Sequence, residues 1–95
     1  MKVGWSKEAL GDLRDIVRYI DFRNPQAAVR VKQRIMITSH QLREFPFSGM
    51  AVVRNDNRKL VVRGLPYILF YRVIDGEVKI ISVVDARMER APDLQ

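Results

Sequence analysis

An almost uninterrupted apolar run near the middle of the chain limits what this sequence can fold into. Residues 67–73 read Tyr-Ile-Leu-Phe-Tyr-Arg-Val, which is typical of a central strand that is covered on both faces. Asp75-Gly76 separates this run from a second β-branched run at residues 78–84. Asp-Gly in this position favours a two-residue hairpin, because both turn residues accept a positive φ. The second half of the chain therefore predicts an antiparallel sheet.

A two-residue turn at Asp75-Gly76 also predicts which residues of the two strands face each other. On one face the predicted pairs are Tyr71 with Ile80, Leu69 with Ser82 and Tyr67 with Val84. On the other face they are Ile68 with Val83, Phe70 with Ile81 and Arg72 with Lys79. If helices cover one face, the other exposes apolar side chains beside two cations, and we expect a partner protein to cover it.

Two amphipathic helices are predicted in the first half of the chain. Ser6 is suited to cap a helix over residues 6–22, and Asn24-Pro25 to begin a second helix over residues 25–44. Apolar side chains recur at helical spacing in both, and the stripe residues are Ala9, Leu13, Ile16, Val17, Ile20, Ala28, Val31, Ile35, Ser39 and Leu42. Asp12 and Asp15 lie off the first stripe, and we interpret them as a solvated face and not as a catalytic pair.

The order of elements predicts the fold class. Pro46 ends the second helix, the aromatic rings of Phe45 and Phe47 are expected to close one end of the core, and residues 50–54 form a weak strand or an irregular loop. The order β-α-α-β-β-β predicts an α+β domain, with an antiparallel helix hairpin packed on one face of a mostly antiparallel four-stranded sheet. A length of 95 residues allows a single domain over residues 1–95.

Composition excludes several classes of function. The chain has no cysteine, which excludes disulfides, thiolate zinc sites and cysteine nucleophiles. It has one histidine, His40, which we interpret as a helix-surface residue, and we expect no metal or other cofactor. It carries 17 Lys and Arg against 11 Asp and Glu, a net charge of +6, which favours an acidic protein or a nucleic acid as partner. Without a long apolar run or a signal-peptide pattern, we expect a cytoplasmic protein with no membrane partner.

Several short motifs together resemble a known family. They are Trp5-Ser6-Lys7-Glu8-Ala9-Leu10, Asn24-Pro25 before a basic helix, Phe45-Pro46 with Gly49, Arg58-Lys59-Leu60-Val61-Val62, Pro66-Tyr67-Ile68-Leu69-Phe70-Tyr71-Arg72-Val73 and Val83-Val84-Asp85-Ala86-Arg87. In their order and spacing, over nearly the whole chain, these motifs resemble the RelE/ParE superfamily of type II toxins.

The resemblance implies one of two mechanisms. The RelE branch cleaves messenger RNA on the ribosome without a metal, using basic side chains on the open sheet face and a tyrosine near the C-terminus. The ParE branch poisons DNA gyrase and traps a cleaved complex. Toxins of both branches are neutralised by a small antitoxin that is encoded beside them.

Two departures from the nuclease pattern favour the ParE branch. Ile68 stands where the RelE type commonly carries an arginine, and it can neither hold a phosphate nor stabilise negative charge. Residues 88–95 contain no Tyr, His or Lys that could exchange a proton near neutral pH. We therefore expect a ParE-like gyrase poison. The alternatives are a RelE-like ribosome-dependent endoribonuclease acting on mRNA, or a decayed toxin that only binds its antitoxin.

Candidate binding residues follow from the predicted open face and from the motifs, and no catalytic residue is assigned. For the target or the antitoxin they are Arg58, Arg63, Ile68, Phe70, Arg72, Lys79, Ile81, Arg87 and Arg90. For Arg87 the structural alternative is an ion pair, for example with Asp85 or with a helix carboxylate. Tyr67 and Tyr71 are interpreted as core. We expect a ParD-like or similar antitoxin to lay an acidic, partly disordered segment over this face and to pair its carboxylates with the basic side chains there.

Overall fold

The computed structural model describes residues 1–53 and 55–88, and this part of the chain contains two helices and five strands. The elements are β1 (Lys2–Trp5), α1 (Lys7–Asp21), α2 (Pro25–Gln41), β2 (Met50–Ala51), β3 (Arg58–Val61), β4 (Tyr67–Ile74) and β5 (Glu77–Asp85). The predicted α+β class is confirmed. Four strands were predicted and five are present. The additional strand is β2, a two-residue edge strand in the segment 50–54 that was predicted as either a weak strand or an irregular loop. No helix in the described ranges is long and apolar enough to cross a membrane.

The strands form one sheet in the order β1-β5-β4-β3-β2. β1 runs parallel to β5, whereas every other neighbouring pair is antiparallel. β4 therefore lies in the middle with a partner on each side, as its apolar sequence predicts. Leu13 of α1 and Ile35 of α2 share one core cluster with Leu69 and Val83 of the sheet. Both helices thus pack on the same face.

Both predicted helix caps are present. The Oγ of Ser6 accepts a hydrogen bond from the backbone N–H of Ala9 at 3.0 Å, and the Oδ1 of Asn24 accepts one from Ala27 at 3.1 Å. α1 ends one residue before the predicted boundary. α2 ends at Gln41 and not at residue 44, because the amides of residues 42–44 turn back to carbonyls three residues earlier.

The β4–β5 hairpin confirms the predicted turn but corrects the predicted register. Ile74 faces Glu77 across the turn, and Asp75 and Gly76 have φ values of 50° and 77°. Tyr71 faces Ile80 as predicted. Beyond this pair a β-bulge leaves Ile81 without a partner, so that β5 advances by one residue. The observed pairs are Phe70 with Ser82, Leu69 with Val83, Ile68 with Val84 and Tyr67 with Asp85.

The bulge has a clear reason in packing. Strict alternation along β5 would place Ser82 on the helix face after Ile80, where its hydroxyl would need a hydrogen-bond partner in the core. With one extra residue in the strand, Ile80 and Val83 are both buried against the helices. The four predicted pairs that involve Ile81, Ser82, Val83 and Val84 are therefore wrong, whereas the pair of Arg72 with Lys79 is confirmed.

Tyr71 closes one end of the core. Its ring is fully buried, and its hydroxyl donates a hydrogen bond to the carbonyl of Pro46 at 2.8 Å and accepts one from the amide of Gly49 at 2.9 Å. The sequence assigned this place to Phe45 and Phe47, but those rings are 63% and 60% exposed. Tyr71 takes this place instead of the two phenylalanines because a tyrosine can both fill the core and form hydrogen bonds with the backbone of the loop that follows α2.

Asp12 also departs from its predicted role. Its Oδ2 accepts a hydrogen bond from the backbone N–H of Val83 at 2.9 Å. β1 ends at Trp5, so this part of the β5 edge has no strand beside it, and the helix supplies a carboxylate in place of a strand carbonyl. The interpretation as a solvated residue is therefore wrong for Asp12, whereas Asp15 is exposed.

Candidate partner-binding surfaces

The open face of the sheet carries a group of basic side chains around one aromatic ring. Arg72 faces Lys79 across β4 and β5, and Phe70 faces Lys59 across β4 and β3. Phe70, Arg72 and Lys59 are partly buried, and Lys79 is exposed. The Nε of Arg72 donates a hydrogen bond to Oδ1 of Asn57 at 3.0 Å, which holds its guanidinium over the face. We call Lys59, Phe70, Arg72 and Lys79 the basic sheet face.

Lys59 was missed as a candidate because the sequence does not fix how β3 pairs with β4. The observed pair of Arg58 with Tyr71 places Arg58 on the side of the buried tyrosine, and the next residue, Lys59, on the open side. The alternation of charged Lys59 and apolar Leu60 shows that these two residues lie on opposite faces of β3, but it assigns Lys59 to the open face only when the register with β4 is known. Arg58 and Arg72 therefore lie on opposite faces of the sheet.

Arg58 makes structural contacts. Its Nη1 donates hydrogen bonds to the carbonyl oxygens of Gly49 at 2.9 Å and Phe47 at 3.4 Å. Its guanidinium lies 5.0 Å from the centroid of the Phe47 ring, within the range of a cation–π interaction. These contacts tie β3 to the loop after α2, and they leave Arg58 less available for a target than the sequence indicates.

Ile68 and Ile81 do not form the exposed apolar patch that was expected on the open face of the sheet. Ile68 is only 6% exposed, because it lies in the central strand between Val61 and Val84 of the neighbouring strands. Ile81 is the partly buried extra residue of the bulge and does not face Phe70. The expected exposure of Ile68 is wrong. Val61, which is 60% exposed, is the apolar side chain that the open face presents beside it.

A pocket of about 500 Å³ lies at the end of β4 and β5 that is far from their turn. Its lining residues are Asp15, Ile16, Tyr19, Tyr67, Asp85, Arg87 and Met88. Arg87 makes a two-pronged contact with Asp85, in which Nη2 to Oδ2 is 2.8 Å and Nε to Oδ1 is 3.1 Å. The backbone amide of Arg87 donates to the same Oδ1 at 2.9 Å. Arg87 therefore forms the ion pair with Asp85 that was named as the structural alternative to a role in binding.

The electrostatics of this pocket disfavour proton transfer by Tyr67. The hydrogen bonds and charge of Arg87 lower the pKa of Asp85 below its ordinary value. Burial, and then the nearby Asp85 carboxylate, raises the pKa of the Tyr67 phenol above its ordinary value. Tyr67 therefore stays protonated near neutral pH, and a general base there would need the opposite shift.

We expect the Arg87→Gln substitution to raise the pKa of Asp85 towards that of an ordinary aspartate, because the substitution removes the charged hydrogen-bond donor. The lowered pKa stabilises the fold above the pKa of an unfolded aspartate, and this contribution is lost as the pH falls through the folded value. Carboxyl-carbon NMR titration measures the shift directly. Arg72→Gln is the matched control, and an equal change of the Asp85 pKa in both variants would contradict the proposed origin of the shift.

Arg63 lies away from the other candidates. It belongs to the turn between β3 and β4, where a second concavity of about 300 Å³ is lined by Ala27, Arg30, Val31, Arg34, Arg63, Gly64 and Leu65. The Nη1 of Arg34 donates a hydrogen bond to the carbonyl of Arg63 at 3.1 Å. Arg30 and Arg34 were not among the candidates predicted from the sequence. Arg90 lies outside the described residues.

No group of three or more His, Cys, Asp or Glu side chains within residues 1–53 and 55–88 is arranged to hold a metal ion. The described residues form three candidate binding surfaces: a basic sheet face, an apolar pocket with one ion pair, and an arginine-lined concavity.

Comparison with known proteins gives consistent matches. Residues 3–90 match the family model described as ParE toxin of type II toxin-antitoxin system, parDE. The chain is 36% identical over 88 residues to the toxin candidate Y4kP of Sinorhizobium fredii, covering 93% of this chain and 91% of the relative. It is 34% identical over 82 residues to the toxin RelE2 of Caulobacter vibrioides, covering 86% of this chain and 91% of the relative.

Two solved structures have the same fold. A chain of the chromosomal ParDE system from P. aeruginosa superposes with a TM-score of 0.80 at 22% identity, covering 90% of this chain and 95% of that one. A chain of the intact E. coli RelBE toxin-antitoxin complex superposes with a TM-score of 0.59 at 24% identity, covering 94% and 98%. At these identities the likeness concerns the fold.

Proposed function

The chain belongs to the ParE toxin family of type II toxin-antitoxin systems, and from this premise we propose that it poisons DNA gyrase in the cytoplasm and is neutralised by a cognate antitoxin. As a gyrase poison it would act by binding and not as an enzyme. It would trap the complex in which gyrase has cleaved DNA.

The choice of gyrase over RNA as the target is supported by the side chains of β4, which lack the groups that RNA cleavage needs. Ile68 is buried where a nuclease of the superfamily commonly carries an arginine. The hydroxyl of Tyr71 already makes two hydrogen bonds, and the pKa of Tyr67 is raised. Among the described residues, neither tyrosine is arranged to move a proton during attack by a ribose hydroxyl. This arrangement supports binding over RNA cleavage.

A ribosome-dependent endoribonuclease acting on mRNA is the second candidate. It is favoured by the relative named RelE2 and by the fold shared with the RelBE complex. In that mechanism Lys59, Arg72 and Lys79 would hold the RNA backbone. The third possibility is a decayed toxin that binds its antitoxin and no target.

Purified toxin distinguishes these candidates when it is added to gyrase with plasmid DNA and, separately, to translating ribosomes. We expect loss of supercoiling and accumulation of cleaved DNA bound to gyrase, with no cleavage in a ribosome toeprint. Codon-specific cleavage at catalytic concentrations would overturn the proposal in favour of the nuclease. Inactivity in both assays, from protein that is folded and binds its antitoxin, would favour the decayed toxin.

The antitoxin would dock on the basic sheet face. Both structural neighbours come from toxin-antitoxin systems, and a net charge of +6 favours an acidic segment as partner. Phe70 supplies an apolar anchor between Lys59 and Arg72, and such a mixture suits a segment that folds as it binds. Its carboxylates would pair with Arg72 and Lys79.

We expect the double substitution Arg72→Glu, Lys79→Glu to weaken antitoxin binding by about tenfold or more, because both reversed charges would face the acidic segment. Isothermal titration calorimetry measures the affinity, and an unchanged melting temperature shows that the fold is intact. The matched variant is Arg14→Glu, Arg18→Glu, which reverses two exposed charges in the groove between α1 and α2. If only that variant loses affinity, the antitoxin docks on the helices.

A further inference from the structure

The concavity beside the β3–β4 turn collects three arginines that are distant in sequence. Arg30 and Arg34 are one helical turn apart, and therefore lie on the same edge of α2. Arg63 approaches them from the turn, where Gly64 adopts a φ of 79°. All three side chains are exposed at a depression of about 300 Å³. We call Arg30, Arg34 and Arg63 the arginine cluster.

Among residues 1–53 and 55–88, no ion pair involves the arginine cluster. None of the described residues that line the concavity is acidic, and the ion pair found in these ranges joins Arg87 to Asp85, elsewhere in the fold. The first turn of α2 contains Ala27 of the lining and has no acidic residue. The positive end of the helix dipole therefore lies at the edge of the concavity next to Ala27, and it adds positive potential at that edge.

This arrangement costs free energy in the isolated protein. Like charges four residues apart on a helix repel each other by a few tenths of a kcal/mol, and Arg63 adds a third positive charge. One guanidinium is nevertheless oriented, because Arg34 uses Nη1 for the carbonyl of Arg63 and keeps its other N–H donors for a ligand. An anion in the concavity would relieve the repulsion and accept these hydrogen bonds.

The chemistry of the lining favours phosphate over a protein carboxylate. Guanidinium groups bind both phosphate and carboxylate oxygens with two parallel hydrogen bonds, so the surroundings of the arginines decide between the two. Interfaces with nucleic acid are strongly positive, whereas at a protein–protein interface arginine is accompanied by aromatic anchors and other charged residues are depleted. The lining contains three arginines and no aromatic residue. It also lies apart from the basic sheet face, with Phe70, that suits the antitoxin.

We propose that the arginine cluster binds backbone phosphates of duplex DNA, so that the toxin contacts the DNA held by gyrase as well as the enzyme. The inference rests on the proposed function in one respect, namely that the DNA is held by gyrase. The binding of phosphate by the arginine cluster does not require gyrase. Because the ligand is the phosphate backbone, binding should depend on salt and be independent of sequence.

The test compares two triple variants with the same change of net charge. Arg30→Gln, Arg34→Gln, Arg63→Gln removes the arginine cluster, and Arg14→Gln, Arg18→Gln, Arg43→Gln removes three other exposed arginines. Fluorescence anisotropy with a short DNA duplex measures the affinity of each protein between about 50 and 200 mM salt. We expect the cluster variant alone to lose about tenfold or more in affinity at low salt, and about 3 units in the slope of log K against log salt.

Three other results would overturn the inference. Equal losses in both variants would mean that only net charge matters, and no loss in either would mean that DNA is bound elsewhere. If the cluster variant keeps its affinity for DNA but binds the antitoxin more weakly in calorimetry, the concavity takes an acidic protein. The melting temperatures of both variants show that they are folded.

The same variants separate this inference from the proposed function. A parent protein that binds DNA through the cluster but does not inhibit gyrase would support the phosphate contact and refute the gyrase target. A parent that inhibits gyrase, and whose cluster variant inhibits it and binds DNA equally well, would support the target and refute the contact.

Discussion

Replacement of Ile35 by alanine is expected to lower the free energy of unfolding by about 2–5 kcal/mol. Ile35 is fully buried in α2, in the cluster that joins Leu13 of α1 to Leu69 and Val83 of the sheet. Truncation removes buried apolar surface and leaves a cavity that three elements would have to move together to fill. Urea denaturation, followed by circular dichroism, measures the change.

Ile37→Ala is the matched control, because Ile37 lies two residues further along the same helix and is 54% exposed. The same substitution there should change stability by no more than about 0.5 kcal/mol. Similar losses in the two variants would contradict the orientation of α2 described above. A loss at Ile37 alone would mean that the opposite side of the helix faces the core.

Gly49→Ala is expected to cost about 1–3 kcal/mol, because the site has no room for a methyl group. A Cβ at residue 49 would lie 2.6 Å from the hydroxyl oxygen of Tyr71, 2.7 Å from its Cε1 and 2.9 Å from the carbonyl oxygen of Lys59. The backbone of β3 and a fully buried ring would both have to shift. The hydrogen bond from the Gly49 amide to the Tyr71 hydroxyl would be strained at the same time.

Gly11→Ala is the control for the same chemical change. Gly11 lies in α1, where the nearest atom to an added Cβ is the Nη2 of Arg14 at 3.7 Å. Alanine favours the helix more than glycine by up to about 1 kcal/mol, so this variant should be as stable as the parent or more stable. A destabilised Gly11→Ala with an unchanged Gly49→Ala would refute the packing described for both sites.

A double-mutant cycle with Tyr71→Phe tests the contact itself. Tyr71→Phe alone leaves the Gly49 amide without its acceptor, which costs about 1–3 kcal/mol. In that background, Gly49→Ala no longer meets the hydroxyl oxygen. The two changes should therefore combine to less than the sum of their separate effects, by about 0.5 kcal/mol or more. Strict additivity would mean that residues 49 and 71 do not touch.

The parts of the fold that sequence predicted are those with local chemical signals. Ser6 and Asn24 cap helices because each side chain accepts a hydrogen bond from an amide three residues away. Asp75 and Gly76 form a tight turn because both residues accept a positive φ. The resemblance to the RelE/ParE superfamily, which is confirmed by the family match over residues 3–90, depends on many such segments in order.

The parts that sequence missed depend on distant partners. The polar residues Lys79 and Ser82 are three positions apart, which disagrees with strict alternation but does not indicate whether Ile80 or Ile81 is the extra residue of a bulge. Asp12 bonds to Val83, 71 positions away, and nothing near Asp12 indicates this contact. Tyr71 could be predicted as core, but the acceptor and donor for its hydroxyl lie in the loop at residues 46–49.

The candidate surfaces divide in the same way. Arg72 and Lys79 could be placed together from the hairpin turn alone, because the register next to a two-residue turn is fixed. Arg58 could not be assigned to a face without the pairing of β3. The arginine cluster joins α2 to a turn about thirty residues later in the sequence, and the sequence showed only a basic helix.

The pairing of β1 with β5 bears on when this toxin can fold during its synthesis. Lys2–Trp5 is synthesised before the other four described strands, yet its partner begins at Glu77. The core also draws on β5 through Val78, Ile80 and Val83. The sheet can therefore close only after β5 has been synthesised, because two of its strand pairs involve β5. A translation product that stops before β5 lacks one neighbour of the central strand, and the toxin acquires its folded surface only once β5 is available.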